Sequence, residues 1–387
     1  MRLALFLLVA VAFLPLLLKS LTESPSPSFS LNQVGQLVEL SADELSQEYR
    51  QQFASSGVTR EVHSAVMVKL GNGNLRAFWY GGAREGAKDV SIYTAELDLQ
   101  SNEWLDERVL VERHATAQQL GIYLRKIGNP VTFRDGDERL WLFFVSVSVG
   151  GWAGSTINFM ISDDDGQSWT TPKRLIASPI FNLSTLVKGE PFLYTDGSIG
   201  LPVYHEMIGK FGELIHLSSS GEVLDKVRLM SGRVSLQPIV LPSSGQHARI
   251  YMRNATDAPD STLFETWTTD AGENWASVVR NDLPNPNAAI TGLRLDDGGL
   301  LLVINNQHDK RNNLSLMHSV DDGDSWQLLY QFEQEENTPE FEHQFAYPSL
   351  RQSSDGDFHV VYTWNKERIK HIRFNQRWLQ QRMEEAL

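Results

Sequence analysis

The chain is organised by a repeated pair of apolar stretches joined by a short polar turn. Runs of this length predict β-strands, and turns such as GNG, DGD and DGG join two strands into a hairpin. There are six copies: HSAVMVKLGNGNLRAFWYGG from His63, NPVTFRDGDERLWLFFVS from Asn129, EPFLYTDGSIGLPVYH from Glu190, QPIVLPSSGQHARIYMRN from Gln237, NAAITGLRLDDGGLLLVINN from Asn287 and YPSLRQSSDGDFHVVYTW from Tyr347.

The spacing of these copies predicts the architecture. Their starts are separated by 66, 61, 47, 50 and 60 residues, which is room for a blade of short strands rather than for a helical repeat. Radial repetition of such blades protects the strand edges. The sequence therefore predicts an all-β fold, a six-bladed β-propeller, in which the first residue of each copy begins the innermost strand beside the central channel.

A second motif, Ser/Thr-x-Asp-x-Gly-x-x-Trp, occurs at 162–169, 268–275 and 319–326. Its Asp suits the capping of backbone N–H groups, its Gly a positive φ, and its Trp burial against a sheet. We expect this motif to be the turn between the outer strands of a blade, with a structural role. A calcium loop is the other interpretation of DDDG, but the Glu that an EF-hand requires at its twelfth position is absent.

Composition narrows the classes of function. The 387 residues are 41% hydrophobic, which is ample for a packed core, and the formal charge of -14 disfavours nucleic acid as a partner. The sequence contains no cysteine, so disulfides, thiol nucleophiles and thiolate metal sites are excluded. The sequence shows neither a dinucleotide-binding fingerprint nor a phosphate-binding loop. The segment GGAREG has the glycines, but it lies between two predicted strands and no helix follows it. We expect no metal and no cofactor.

The N-terminus carries a charged residue, an apolar run over 3–18 and then a Pro/Ser-rich stretch. This pattern predicts export, with residues 1–20 either removed as a signal peptide or retained as a single membrane anchor. The protein would then be periplasmic, secreted or anchored in the inner membrane. Residues 21–45 are predicted as a linker, 46–375 as the propeller and 376–387 as an amphipathic C-terminal helix.

The six-fold strand repeat and the three Asp boxes resemble the sialidase (neuraminidase) superfamily, specifically the predicted bacterial neuraminidases with Asp-box (BNR) repeats. The likeness extends from about His63 to Ile372 and includes WYGGAREGAKDVSIY, GNPVTFRDGDERLWLFF, LPNPNAAITGLRL and RNNLSLMHSVDDGDSW. It implies an exported, exo-α-sialidase-like glycosidase that acts on an acidic sugar at the central channel.

The resemblance also implies a set of site residues. Sialidases use three arginines to hold the substrate carboxylate, which the planar guanidinium does with paired hydrogen bonds. They use a tyrosine nucleophile, because a carboxylate would be repelled by the carboxylate of the substrate. By resemblance, Arg253 and Arg311 are two of the arginines, Tyr347 is the nucleophile and Asp89 is the acid/base. Surface ion pairs and aromatic packing are the alternatives for these residues. Residues Arg84 and Glu85 resemble substrate contacts.

The chain departs from the family pattern at two positions. His63 stands where the third arginine is expected, and Gln237 stands where a glutamate should activate the tyrosine. Glutamine cannot accept a proton, so a nucleophilic Tyr347 needs another base. His63, His205 and Glu206 are candidates if they reach the channel, although a lone histidine in a strand is more often structural.

Position alone adds further candidates. Asn129, Glu190 and Asn287 begin their copies and are expected at the channel, with Glu190 and Gln237 as substrate contacts. Trp152, in VSVGGWAGST, either stacks on a sugar or anchors its loop.

Three functions follow from these residues. The leading one is hydrolysis of a sialic acid glycoside. The second is a hydrolase or lyase for uronic-acid-containing glycans, with His63 and Tyr347 as an acid and base pair. The third is a non-catalytic glycan-binding propeller. In each case the partner is a glycan, and the oligomeric state is left open.

Overall fold

The computed structural model describes residues 26–31, 33–37, 48–178, 182–230, 232–256 and 258–386. The predicted signal or anchor segment, 1–20, lies outside these residues. No helix in the described ranges is long and apolar enough to span a membrane.

The described residues form strands almost throughout. The first strand, β1, is Tyr49–Phe53. The next two sheets comprise β2 Glu61–Lys69, β3 Leu75–Gly82, β4 Ser91–Asp98 and β5 Glu103–Glu112, then β6 Lys126–Arg134, β7 Leu140–Val147, β8 Ser155–Ser162 and β9 Lys173–Arg174. The third and fourth comprise β10 Leu186–Val187, β11 Phe192–Leu193, β12 Ile199–His205, β13 Phe211–Leu217 and β14 Val223–Arg228, then β15 Ser235–Pro242, β16 Ala248–Asn254, β17 Thr262–Thr268 and β18 Val279–Pro284. The fifth and sixth comprise β19 Thr291–Arg294, β20 Leu300–Ile304, β21 Asn313–Ser319 and β22 Gln327–Gln334, then β23 Phe345–Gln352, β24 Phe358–Trp364 and β25 Arg368–Phe374. Helix α1 is Arg113–Leu120 and helix α2 is Gln376–Ala386.

These six sheets are the blades of a closed propeller. Successive inner strands contact one another around the axis, and β2 of the first blade contacts both β6 and β23. The last blade is completed by the first strand, because β1 pairs antiparallel with β25, Tyr49 opposite Phe374. The predicted six-bladed β-propeller is confirmed, and the ring is closed by pairing the two ends of the chain.

Burial explains why the inner hairpins are such continuous apolar runs. Every residue of β3 and of β7 is buried, because each of these strands is covered by a neighbouring blade on both faces. The outer strand β14 has only half-buried and exposed positions. Six clusters of buried apolar side chains fill the contacts between blades.

The Asp boxes are the turns between the outer strands, as predicted. In the first box, the Ser162 hydroxyl donates to Asp164 at 2.7 Å and accepts from the backbone N–H of Gly166 at 2.8 Å. Gly166 has a φ of 82°, and Trp169 packs in the core between the first two blades. Asp165 accepts from the N–H of Gly71 in the preceding blade at 3.0 Å. The box therefore also links neighbouring blades.

The propeller has two different ends. The Asp boxes and the turns that close the inner hairpins lie at one end, which we call the lower face. The starts of the inner strands and the loops between the second and third strands of each blade lie at the other, which we call the upper face. Part of the predicted linker packs across the lower face, since Phe29 is buried against Phe192 and Tyr194, and Gly35 bridges to Leu295.

Helix α2 packs on the propeller rather than standing free. Trp378 is buried and stacks on Tyr49, with ring centroids 5.1 Å apart. The helix therefore covers the outer strand that closes the ring.

Candidate functional site

A ring of strained residues marks the upper end of the channel. Ser64, Asn129, Gln237, Asn287 and Tyr347 have φ values between 47° and 56°, the left-handed region that residues other than glycine rarely adopt. In four of these blades a β-bulge lies at the same place, for example between Gly128 and Val131. A bulge re-aims a side chain, and strained backbone is concentrated at functional sites.

The ring corrects the sequence alignment by one residue. In the first blade the ring position belongs to Ser64, and His63 precedes it. The signal was present in the sequence, because the ring residue is followed by Pro130, Pro238 and Pro348 in three copies and by Ala65 in the first. Ser64 is buried, and its backbone N–H donates to Thr363 Oγ1 at 3.0 Å.

Arg253 connects three members of this ring. Its Nε donates to Asn287 Oδ1 at 2.8 Å, and its Nη1 donates to Gln237 Oε1 at 3.1 Å and reaches Tyr347 Oη at 3.5 Å. The bond to Gln237 Oε1 turns the amide nitrogen toward Tyr204. Arg253, Gln237 and Tyr347, which the sequence predicted as site residues, thus lie together at one place.

Tyr204 was not singled out from the sequence, although it lies within VYHE. Its hydroxyl accepts from Gln237 Nε2 at 3.4 Å and from Asn129 Nδ2 at 3.3 Å. Burial, followed by the neighbouring Tyr347, holds the pKa of Tyr204 well above its usual range. Tyr204 therefore remains a protonated phenol beneath the site.

Arg311 lies beside Arg253 and is anchored differently. Its Nη2 donates to the backbone carbonyl of Asn287, and its pKa is lowered by burial and then by the charge of Arg253. Within the described part of the chain, no carboxylate forms an ion pair with Arg253 or Arg311. The hydrogen bonds of these two neighbouring cations go to neutral groups, and Glu85 and Glu342 act on Arg311 without forming an ion pair with it.

His63 and Tyr347 form the centre of the site. Their rings meet edge to face with centroids 4.5 Å apart, and His63 is only 6% exposed. Burial lowers the pKa of His63 to about 3, with contributions from the charges of Lys366, Arg311, Lys188 and Arg253. The imidazole is therefore neutral at physiological pH. Its buried Nδ1 has no hydrogen-bond partner among the described residues.

Lys188 lies deeper in the channel and was not anticipated from the sequence. It is 4% exposed, and its Nζ is 5.8 Å from the ring centre of Tyr347. Burial lowers its pKa to about 8, against the opposing charge of Glu190. Lys188 adds a further positive group beneath the tyrosine.

The loop between β3 and β4 places its three charged candidates differently. Arg84 and Glu85 line a cavity together with His63, Tyr80 and Lys366. Asp89 is exposed, does not line this cavity, and accepts from the backbone N–H of Ala83 at 2.8 Å. Glu85 is therefore the carboxylate of this loop that faces the cavity, and an acid/base role for Asp89 stays a prediction.

Glu190 is not at the level of the ring. It pairs with Arg351 and accepts from Ser349 Oγ at 3.0 Å, further toward the lower face than Tyr347. Its carboxylate is therefore engaged within the channel wall, away from the predicted substrate contacts.

The remaining predicted candidates lie on the third and second blades. His205 stacks on Phe211, with ring centroids 4.8 Å apart, which is a packing role. Burial raises the pKa of Glu206, which has Lys210, Arg253 and Lys126 as its neighbouring charges. Glu206 is thus the better placed of the two as an alternative base.

Trp152 is half-buried at the rim, and Lys126 Nζ lies 3.6 Å from its ring centre. The tryptophan packs against the core between the second and third blades. One face of its ring is occupied by the lysine, so the anchoring interpretation fits better than sugar stacking.

No group of three or more His, Asp or Glu side chains within the described ranges is placed to hold a metal ion.

Comparison with known proteins identifies relatives of the whole propeller. The family model described as the BNR repeat-like domain matches residues 73–360. No curated protein sequence matches the chain. Among solved structures, the Hadza microbial sialidase Hz136 aligns with a TM-score of 0.67 at 15% identity, over 82% of this chain and 66% of that one.

Two further structures are similar. The Trypanosoma rangeli sialidase aligns with a TM-score of 0.63 at 13% identity, over 93% of this chain and 60% of that one. A protein of unknown function from Dyadobacter fermentans aligns with a TM-score of 0.65 at 13% identity, over 84% of this chain and 99% of that one. The chain thus spans 66% and 60% of the lengths of the two sialidases. At these identities the likeness establishes the fold.

Proposed function

The chain belongs to the BNR repeat-like domain family, with a propeller of the sialidase type, and from this premise we propose that it is a glycoside hydrolase for an acidic sugar. The substrate carboxylate would bind to Arg253 and Arg311 at the upper end of the channel. Sialic acid is the first substrate to test, because the similar solved structures include sialidases.

One observation carries this proposal. Arg253 and Arg311 are half-buried, adjacent and not ion-paired with any carboxylate among the described residues, in a chain whose formal charge is -14. Partly buried guanidinium groups normally find an anion, because burying unpaired charge is costly. A planar guanidinium pairs well with a carboxylate. The site is therefore prepared for an anion from outside the protein.

The chemistry at the reacting carbon falls to Tyr347 and its neighbours. Its hydroxyl lies within reach of Arg253, which would stabilise a phenolate. Gln237 cannot accept the phenolic proton, so His63, which is neutral and adjacent, is the proposed base. Glu206 is the second choice. Glu85 or Asp89, on the loop above, would protonate the leaving group.

A uronic-acid-containing glycan is the alternative substrate. The departures at His63 and Gln237 favour it, because the carboxylate clamp differs from the three arginines expected of a sialidase. A neutral histidine beside a tyrosine is also suited to proton abstraction and elimination. A glycan-binding role without catalysis is favoured by one contact, the engagement of Asp89 with Ala83.

The experiment is release of fluorophore from a fluorogenic α-sialoside and from a fluorogenic β-glucuronide by the full-length chain. Tyr347→Phe and the pair Arg253→Met and Arg311→Met are assayed alongside. Turnover of either acidic substrate that is lost in Tyr347→Phe supports hydrolysis and identifies the sugar class. Binding of an acidic sugar without turnover would contradict hydrolysis and support the role of a glycan-binding propeller. Absence of binding to both sugars overturns the proposal.

Export is a separate proposal that rests on the sequence of residues 1–20. An apolar segment after a positive residue directs secretion or anchors the chain. Fractionation of cells expressing the chain, with and without residues 1–20, tests it. Recovery of the full-length chain in the cytoplasm would contradict export.

A further inference from the structure

The carboxylate clamp lacks one of its three expected cations, because His63 is neutral. We propose that Lys366, in the turn between β24 and β25, supplies the third cation of the anion site. This inference rests on the proposed function and deepens it, since it names a substrate-binding residue that neither the sequence pattern nor the resemblance indicated.

The turn holds Lys366 beside the start of β2, next to His63. The backbone carbonyl of Lys366 accepts from the N–H of Val62 at 2.7 Å, one residue before the histidine. The side-chain Oδ1 of Asn365 accepts from the backbone N–H of Gln344 at 2.9 Å, and the backbone N–H of Asn365 donates to the Gln344 carbonyl at 2.8 Å. The turn is thus tied to the first and last blades, and Lys366 lines the same cavity as His63, Arg84 and Glu85.

The ammonium group forms no ion pair with the carboxylates near it. Two carboxylates, Glu61 and Glu85, line the cavity, yet no ion pair joins Lys366 to a carboxylate within the described ranges. One Glu61 oxygen is occupied by the backbone N–H of Glu85 at 2.9 Å. Among charged groups, Lys366 has the largest effect in lowering the pKa of His63, after burial, which agrees with a short distance between the two.

The backbone provides an independent argument. The Glu367 N–H donates to the Trp364 carbonyl at 3.0 Å, and the two central residues, Asn365 and Lys366, have φ values of 52° and 60°. Two positive φ angles define a type I′ turn, in which Gly is strongly favoured at the second position. A lysine is strained there. The sequence therefore places lysine at a position where glycine would serve the fold better.

The exchange of an arginine for a lysine changes which anions fit. A guanidinium binds a carboxylate through a rigid fork, whereas an ammonium is a compact charge on a flexible stem. With Lys366 as the third cation, the clamp depends less on the orientation of the carboxylate. We expect it to accept hexuronates as well as sialic acid.

The substitution Lys366→Gly separates function from stability. It removes the ammonium and at the same time supplies the residue that the turn favours. Isothermal titration with free N-acetylneuraminate and with glucuronate should show affinity lowered by about 10- to 100-fold, the loss typical of a charged hydrogen-bond partner. The midpoint of urea unfolding should be unchanged or higher. Lys366→Arg should restore most of the affinity.

A matched control is Glu138→Gly. Glu138 has a φ of 63° in the turn between β6 and β7 at the lower face, and it is exposed. Its replacement relieves the same backbone strain and should leave affinity for both acids unchanged. Neutral N-acetylglucosamine should bind the wild type and Lys366→Gly equally.

The outcomes distinguish this inference from the proposed function. If Arg253→Met and Arg311→Met lose affinity but Lys366→Gly binds as the wild type does, the clamp stands and the role of Lys366 is overturned. If neither arginine variant loses affinity, or if the wild type binds neither acid, both proposals are overturned. A large drop in the unfolding midpoint of Lys366→Gly would assign the lysine a structural role instead.

Discussion

The imidazole of His63 meets the phenol of Tyr347 edge to face across the boundary between the first and last blades, with ring centroids 4.5 Å apart. The histidine is buried, its pKa is lowered to about 3, and its Nδ1 is unpartnered among the described residues. In the function proposed above, this imidazole and phenol are the acid/base pair that replaces the expected glutamate, with the pKa of His63 raised by a bound anion.

His63→Phe should lower kcat strongly while preserving the fold. Phenylalanine keeps the edge-to-face contact with Tyr347 but removes both ring nitrogens. Loss of a general base costs about 10²- to 10⁴-fold in kcat. Steady-state kinetics and urea unfolding check this. If His63 has only a packing role, the His63→Phe variant would retain activity, and that result would assign the role of general base to Glu206.

Anion binding should drive proton uptake by His63. Burial is the main cause of its low pKa, the cations that face it, Lys366, Arg311, Lys188 and Arg253, lower the pKa further, and Tyr80 and Tyr347 pack against its ring. A bound carboxylate offsets these charges but not the burial, so the pKa of His63 rises part of the way from about 3 toward its ordinary value.

The proton uptake by His63 is measured by calorimetry in buffers with different ionisation enthalpies. The pH is set to about 5, between the low pKa of free His63 and the ordinary pKa of a histidine. The apparent binding enthalpy should depend on the buffer for the wild type and not for His63→Phe. Equal buffer dependence in the two proteins would assign the proton to another group, such as Glu85.

Gln237→Glu should weaken substrate binding. Gln237 Oε1 accepts from Arg253 Nη1 at 3.1 Å, so a glutamate there would form an internal ion pair that competes with the substrate carboxylate. We expect KM to rise about tenfold, in line with the loss of one charge-assisted contact. Since a carboxylate can accept the proton of Tyr347, kcat should rise as well. Gln237→Met, which adds no charge, serves as the control, and a lower KM for the glutamate variant would contradict the clamp.

Acid should destabilise the protein through a buried histidine pair in the last blade. His359 Nδ1 and His371 Nε2 are 2.9 Å apart, and burial lowers the pKa of His359 to about 3 and that of His371 well below its ordinary value. Both are neutral in the folded state, whereas in the unfolded chain they titrate near 6.5. The unfolded state therefore binds more protons below about pH 6.5, and the free energy of unfolding falls as the pH falls through this range.

Urea unfolding between pH 7 and pH 4 measures this slope. Together with His63, the pair should contribute about three protons to the uptake on unfolding near pH 5, and His205, His216 and His318, whose pKa values are also lowered by burial, add to it. His114→Gln, at an exposed position, should leave the slope unchanged. A stability that is flat over this range would mean that the histidines are not buried as described.

The Asp boxes should be separable from activity. Ser162 is buried and its hydroxyl makes hydrogen bonds with Asp164 and Gly166. Ser162→Ala should lower the free energy of unfolding by about 1 kcal/mol, the value of a typical internal hydrogen bond. Because the box lies at the lower face, kcat/KM should not change. An activity loss larger than the stability loss would reopen a functional role for the motif.

Local pattern in the sequence predicts most of the architecture. The six apolar hairpins and the three Asp boxes are visible because strand burial and turn chemistry act over a few residues. The choice of Tyr347, Arg253 and Arg311 as site residues also came from the resemblance to the sialidase superfamily.

What the sequence alone determined is therefore the blade, its turns and the number of blades. Only the tertiary structure decided which charges meet at the channel. The bulge that these blades share identifies Ser64 and not His63 as the first ring position, the pair with Arg351 withdraws Glu190, and the ring closure brings Lys366 into the cavity of His63. These residues come from blades far apart in the chain. The direction of each side chain depends on strand register and on strained φ angles, and a shift of one residue in register turns a side chain to the opposite face of the sheet. Burial among cations, which sets the charge of His63, exists only once the ring has closed.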